Sequence, residues 1–282
     1  MKPVLAVDGD SLAHRAYHAL PKSIRRATDR GPANMIVGFT NMLVRLWEIV
    51  EPRAVLVGFD SLDTPTYRHE AFPAYQSGRE FDDELLEQLD LLPELVDALG
   101  FAHAKVPGYE ADDFLGAVVA LVDVEKKRPV VVATSDRDLF QLASERTTIL
   151  QPTRGVSELT RVGPAEVRER YGVEPRQVPD FIALRGDPSD RLPGAKGVGP
   201  KTAASLLAQY ETLEAALEAG RFAAQAEELR LYRRIATVDA SAPLPPLEDQ
   251  TPTWAEASAL VERWGLKNLG GRLLERASGG GG

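Results

Sequence analysis

The chain has 282 residues, 44% of them hydrophobic and 27% charged, which suits one large or two modest soluble domains with a substantial core. It has no cysteine, so disulfides and thiolate zinc sites are excluded, and its four histidines form no zinc-spaced pair. A net charge of −9 excludes a simple basic nucleic-acid sponge; a nucleic-acid partner would require the surplus acid to be concentrated in a site that cations neutralise.

Met1-Lys2 runs directly into an apolar segment, and no uninterrupted run of 18 apolar residues follows, so neither a signal peptide nor a membrane span is expected and a cytoplasmic protein is the default. Val4 to Val7 reads as a buried strand stopping at Asp8-Gly9-Asp10, with Ser11 as N-cap of a helix over about residues 12–19. His14 and His18 share a face of that helix at ordinary surface spacing. Residues 21–30 form a basic loop, with Lys22, Arg25, Arg26 and Arg30 against one Asp29. Beside an acidic strand end such a loop could meet phosphates. Helical spacing runs from Met35 to Val50 and stops at Pro52.

A second strand, Ala54 to Phe59, ends at Asp60, and residues 61–80 are polar. Leu85 to Leu99 is helical with a break at Pro93, and Ala102 to Val106 is a short strand. It leads to Gly108-Tyr109-Glu110-Ala111-Asp112-Asp113, a turn followed by three carboxylates and then the apolar run Phe114 to Val122, which reads as a helix start. Pro129 to Ala133 is the strongest strand and precedes Asp136-Arg137-Asp138. Strands alternating with helices indicate βα units around a mostly parallel sheet.

Asp8, Asp60 and the pair Asp136/Asp138 thus each follow a strand's carboxyl end, the edge where open α/β sheets bind ligands, and Glu110, Asp112 and Asp113 follow a fourth. So many converging carboxylates raise one another's pKa unless cations compensate. Hard oxygen donors without cysteine or paired histidine suit Mg2+ or Mn2+.

Beyond about residue 160 the composition shifts to helices rich in alanine, glutamate and arginine. Short helices are expected over 164–171 and 178–184. Asp187 and Asp190, three apart, precede a glycine hairpin from Gly194 through Gly197 and Gly199, which opens a helix over about 200–209. Glycines and a helix N-terminus let backbone N–H groups approach an anion, and Lys201 adds a point charge. No Walker motif is present. Residues 212–240 are helical, 242–252 extended and proline-rich, and 254–276 helical with breaks at Gly265 and Gly270-Gly271, before a flexible tail over 278–282.

These motifs, taken in order, resemble the bacterial 5′-nuclease of the flap endonuclease superfamily, the module at the N-terminus of many DNA polymerase I chains. The resemblance rests on Val7-Asp8-Gly9, Ala16 to Leu20, Gly38-Phe39, Phe59-Asp60, Tyr67 to Glu70, Pro107 to Asp113, Thr134 to Leu139, Gly186 to Asp190 and the glycine hairpin. It covers roughly residues 3–275. The matched residues end where a polymerase would begin, which implies a stand-alone form.

The resemblance implies a PIN-like α/β nuclease core over residues 1–160, with a mostly parallel sheet, helices on both faces and a helical arch over about 70–99. A C-terminal helical region, 161–282, with a helix-hairpin-helix over about 185–210 would pack on it as one unit. It implies a monomeric, nucleoid-associated 5′-3′ exonuclease and flap endonuclease acting in replication or repair on DNA with a 5′ flap or 5′ single-stranded end. Two or more Mg2+ or Mn2+ ions would be held by Asp8, Asp60, Glu110 and Asp112 on one side and Asp113, Asp136, Asp138, Asp187 and Asp190 on the other. Asp8, Asp112, Asp136 and Arg79 would be catalytic. DNA contacts would come from His14, Arg15, Lys22, Arg25, Arg68 and Tyr75, and from Gly194, Gly197, Gly199, Lys201 and Thr202 of the hairpin, where main-chain carbonyls often hold a K+.

Three positions depart from the family's pattern. Gln76 stands where an arch lysine is usual, His14 where a tyrosine often stacks on a terminal base, and Arg191 beside Asp190 where asparagine is frequent. Without that lysine, Lys22 or Arg25 would have to supply its charge, or the chain would bind flaps and cut them poorly. A PIN-like RNase shares the acidic site but usually lacks the hairpin at residues 193–202.

Overall fold

The computed structural model describes residues 1–78, 80–125, 128–154 and 158–279. The expected strands are β1 Val4–Asp8, β2 Ala54–Gly58, β3 Ala102–Ala104 and β4 Val130–Ala133, all parallel to their neighbours. Every residue of β1, β2 and β4 is buried, because helices cover both faces. Period-two alternation splits the strands between two cores: Val4 and Ala6 face one, Leu5 and Val7 the other.

Two further strands, β5 Thr147–Arg154 and β6 Glu158–Val162, complete the order β3-β2-β1-β4-β5-β6, with β6 antiparallel. Neither is expected from the sequence, because Pro152 interrupts the apolar run. It is tolerated beyond the pairing of β5 with β4, at a register shift against β6. β6 carries the sheet across the 160/161 boundary suggested by composition.

On one face pack α1 Gly9–Ala19, α2 Asn34–Val50, α4 Asp83–Leu89 and α5 Leu92–Ala98. The other face takes α6 Ala111–Glu125, α7 Pro164–Tyr171, α8 Val178–Arg185, α9 Pro200–Tyr210, α10 Leu213–Glu218 and α11 Ala226–Ala236. The short α3 Tyr67–Ala71 precedes the irregular segment that leads to α4. As Pro93 indicates, the helical run of 85–99 divides into α4 and α5, with the proline in the first turn of α5.

The C-terminal helical region is split by the sheet. After α11 the chain runs extended past β2, where Arg53 donates to the Leu247 carbonyl at 2.7 Å and Gln250 exchanges bonds with Arg53 and Val55. The last helices, α12 Trp254–Arg263 and α13 Lys267–Gly279, then pack on the α2/α5 face. Gly265, at φ 79°, makes the break between them, whereas Gly270 and Gly271 continue within α13. Of the tail, residues 280–282 lie outside the described residues.

Candidate metal centre and nucleic-acid interface

From β1 the sheet grows in opposite directions, to β2 and to β4, so a crevice opens above the carboxyl ends of β1 and β4. An open cleft of about 1160 Å3 lies there. Asp8, at the end of β1, caps α1: its Oδ1 accepts from the Ser11 amide at 2.9 Å, and its Oδ2 accepts from the Thr134 hydroxyl beyond β4 at 2.7 Å. The helix therefore starts at Gly9, and its cap, Asp8, lies three residues before the Ser11 cap expected from the sequence. A side chain at Gly9 would stand 2.5 Å from the Phe59 ring, so only glycine lets α1 leave β1 this steeply.

Asp60, past β2, accepts at 2.8 Å from the Ala111 amide at the start of α6, and its own amide donates to Asp10 at 2.7 Å. Past β4, the Asp136 carboxylate accepts from the Asp138 amide at 2.8 Å. Asp187 accepts from the Ser189 amide at 2.8 Å and from Arg185 at 3.1 Å, and Asp190 accepts from Gln76 at 3.1 Å. Asp8, Asp60, Glu110, Asp112, Asp136, Asp138, Asp187 and Asp190 all line the cleft, joined by Asp10, a carboxylate not assigned from the sequence. The signal for Asp10 was its place two residues beyond Asp8, in the first turn of α1.

Electrostatics report the same convergence. Burial first, then repulsion from Asp60 and Asp136, pushes Asp8 up to about 7 against its hydrogen bonds. Burial followed by Asp60 holds Asp10 well above the usual carboxylate range. Burial, then Asp136 and Asp8, does the same for Asp112, and burial, then Asp136, Asp187 and Asp190, for Asp138. Among the described residues no three acidic or imidazole groups are gathered tightly enough to enclose an ion as they stand. The carboxylates line an open wall, and several of them are tied to protein donors. Their oxygen chemistry and mutual repulsion nonetheless fit hard divalent cations.

Asp113 departs from its expected place. It is fully buried, and both its oxygens accept from Arg68, at 2.9 and 2.7 Å, with further bonds from the Glu110 and Asp239 amides. Arg68 departs with it: 3% exposed, held also by Glu110 at 3.3 Å and by the Ile235 carbonyl, it cannot reach a phosphate. Tyr75 is buried against Glu110, to which its hydroxyl donates at 2.9 Å, while its edge lines the cleft.

His14 lines the cleft with its ring 5.5 Å from that of Phe81, and Arg15 lines it while donating to the Pro152 carbonyl at 2.6 Å. Lys22 and Arg25 stand off the cleft, paired at 2.7 Å with Asp82 and Glu84 at the start of α4. The cleft cations that sequence reasoning missed are Arg137 and Arg185, each adjacent to or two residues from a predicted carboxylate. Arg79 lies outside the described residues. In the hairpin, Gly194 sits at φ 75° with its Cα pressed on the Gly186 backbone, where a Cβ would come within 2.4 Å. Gly197 is at φ 76°, and Gly199 is extended as the N-cap of α9, so Lys201 and Thr202 are presented, exposed, on the first turn of that helix. No helix of the described residues is long and apolar enough to cross a membrane.

Comparison with known proteins agrees with this layout. Residues 3–172 match the model of the 5′-3′ exonuclease N-terminal resolvase-like domain, and residues 173–257 that of the 5′-3′ exonuclease C-terminal SAM fold. The DNA polymerase I of Mycobacterium bovis is 43% identical over 219 residues, 77% of this chain and 24% of that protein. The thermostable DNA polymerase I of Thermus thermophilus is 40% identical over 253 residues, 86% of this chain and 29% of its own length. The chain thus spans about a quarter of the curated relatives it matches. Among solved structures, a bacteriophage T5 flap endonuclease in a pseudo-enzyme-product complex with DNA and metal ions superposes with a TM-score of 0.67 at 20% identity, covering 98% of this chain and 99% of that one.

Proposed function

Because the chain belongs to the 5′-3′ exonuclease family, we propose that its cleft hydrolyses a phosphodiester of DNA bearing a 5′ flap or a 5′ single-stranded end, leaving a 3′-hydroxyl and a 5′-phosphate. The observation that carries this reading is the convergence of carboxylates from separate strand ends and the 187–190 turn on one cleft, where burial and mutual repulsion hold Asp8, Asp112 and Asp138 above their ordinary range. Asp8, Asp60, Glu110 and Asp112 would hold one Mg2+ or Mn2+, and Asp136, Asp138, Asp187 and Asp190 a second. Such a pair supplies an activated water and stabilises the attacking and leaving oxygens of an in-line displacement.

The chain's own residues orient these groups. Thr134 and the Ser11 amide fix the Asp8 carboxylate, the α6 N-terminus fixes Asp60, and Arg68 withdraws Asp113 from the set. Arg137 and Arg185 line the cleft and would meet a phosphate there, taking the part otherwise expected of Lys22 or Arg25. The hairpin at residues 194–199 would hold duplex backbone away from the cutting centre, with a K+ on its main-chain carbonyls.

The test is cleavage of a 5′-labelled flap with Mg2+ or Mn2+ and in EDTA, for the native chain and for Asp112→Asn. Metal-dependent release of the flap by the native chain, lost in Asp112→Asn while flap binding persists, is expected. Equal cleavage in EDTA would overturn the reading. Tight binding with negligible cleavage in either metal would favour the flap-binding alternative that Gln76 suggests.

A further inference from the structure

We propose that Gln76 is a positioning residue that ties the turn at residues 72–78 to the Asp190 carboxylate, so that the base of the arch and the second cation's ligands form one hydrogen-bonded unit. The inference rests on the two-cation reading above.

The Gln76 side-chain amide lies 2.7 Å from the Tyr75 phenol oxygen and 3.1 Å from Asp190 Oδ1. Tyr75 is buried, and its hydroxyl donates to Glu110 Oε2 at 2.9 Å. The phenol oxygen that faces Gln76 is then an acceptor, and so is the carboxylate. Only the NH2 end of the amide satisfies both, with one hydrogen for each.

A continuous chain of bonds therefore runs from Glu110, in the first cation's group, through Tyr75 and Gln76 to Asp190, in the second. Glu110 is anchored further by the Thr66 hydroxyl at 2.9 Å. The contact is reinforced next door: the Arg191 guanidinium lies over Gly78, where a Cβ would stand 3.1 Å from it. Gln76 and Arg191, two of the three departures from the family's pattern, thus sit on facing turns of a single contact. A neutral amide here donates to Asp190 without neutralising it. This bond fixes one carboxylate oxygen without adding positive charge to it. Hydrogen bonds of this kind behind a ligand are worth about 10–100-fold in metal affinity.

The experiment is calorimetric titration of the DNA-free protein with Mn2+, comparing the native chain with Gln76→Met, which keeps length without the donor, and Gln76→Lys, which keeps a donor but adds a positive charge. Gln76→Met should weaken the weaker Mn2+ site about tenfold and leave the tighter one within about twofold, and Gln76→Lys, whose charge competes with the ion for Asp190, should not recover the loss. In an Asp190→Ala background Gln76→Met should change nothing further, a result that general loosening of the turn would not give. Melting in chelator checks that each variant folds; if Gln76→Met does not, Gln76→Leu replaces it. If the native chain takes up no Mn2+, the two-cation reading falls and this inference with it. If the native chain binds two ions and Gln76→Met matches it, or if Gln76→Met and Asp190→Ala weaken binding independently, Gln76 has no such role and the functional reading stands.

Discussion

Two clusters of acid lie side by side at the carboxyl ends of the strands and are solved in opposite ways. In the buried knot, Asp113 closes on the Arg68 guanidinium, fully enclosed with both its oxygens bound, while Glu110 reaches the same guanidinium from the wall of the cleft. In the cleft, Asp8, Asp10, Asp112 and Asp138 have mainly each other and backbone amides for company, and their carboxyls are pushed up. The boundary between the two runs through one helical turn, since Asp112 faces the cleft and Asp113 the knot. Adjacent residues on a helix do not share a face, so the tripled acid of residues 110–113 splits into scaffold and site. One cluster is neutralised by the protein. The other is left for something the protein does not carry.

The largest effect should come from breaking the knot. Arg68→Met leaves Asp113 and Glu110 buried beside an uncompensated charge, which costs about 3–5 kcal/mol. Urea unfolding should show a correspondingly lower midpoint. The matching change in the cleft, Asp112→Asn, removes a charge that burial and Asp136 already oppose, so its midpoint in chelator should stay level or rise. Equal destabilisation by both would erase the distinction between scaffold and site.

A pH series sharpens the comparison further. Asp8 titrates near 7 when folded against an ordinary 3.8, so the folded state holds that proton more tightly than the unfolded chain. The stability it contributes is complete below about pH 4 and is lost as pH rises towards 7. Asp10, Asp112 and Asp138 shift in the same direction. The carboxylates held low by partners, such as Asp29 and Asp82, act below this range. In chelator the Tm should therefore fall between pH 5 and pH 8. Mn2+ at about a hundred times its Kd should return about 2.7 kcal/mol at pH 8, and less at pH 5, where protons compete for the same oxygens. A Tm in chelator that rises between pH 5 and pH 8 would sink the idea that these carboxyls repel one another.

Much of this was legible in the chain. The four parallel strands, the helices on both faces and the carboxylates at the strand ends follow from apolar runs stopping at Asp8, Asp60 and Asp136. What was hidden depends on direction and distance. Asp113 and Arg68 carry motif positions that look functional, and only the orientation of α6 against α3 reveals that they pair. Lys22 and Arg25 looked free for phosphate because Asp82 and Glu84, about sixty residues away, cannot be seen from a local window. β5 and β6 were masked by Pro152, and the crossing of α12 and α13 to the other face has no local signature at all.

The smallest predicted effect separates holding DNA from cutting it. The cleft is dominated by acid and is a poor source of binding energy for a polyanion, so affinity should come from cations elsewhere. Lys201 stands exposed on the first turn of α9, where backbone N–H groups and a point charge face the same way. One phosphate contact corresponds to a slope of about −0.9 in log K against log salt for duplex DNA. Lys201→Ala should therefore weaken flap binding several-fold near 0.1 M salt and flatten that slope by about one, measured by fluorescence anisotropy in Ca2+ or chelator. Asp112→Asn should leave the slope alone. A slope unchanged by Lys201→Ala would move the duplex off the hairpin, and the cleft arginines Arg137 and Arg185 would then have to hold as well as align the strand.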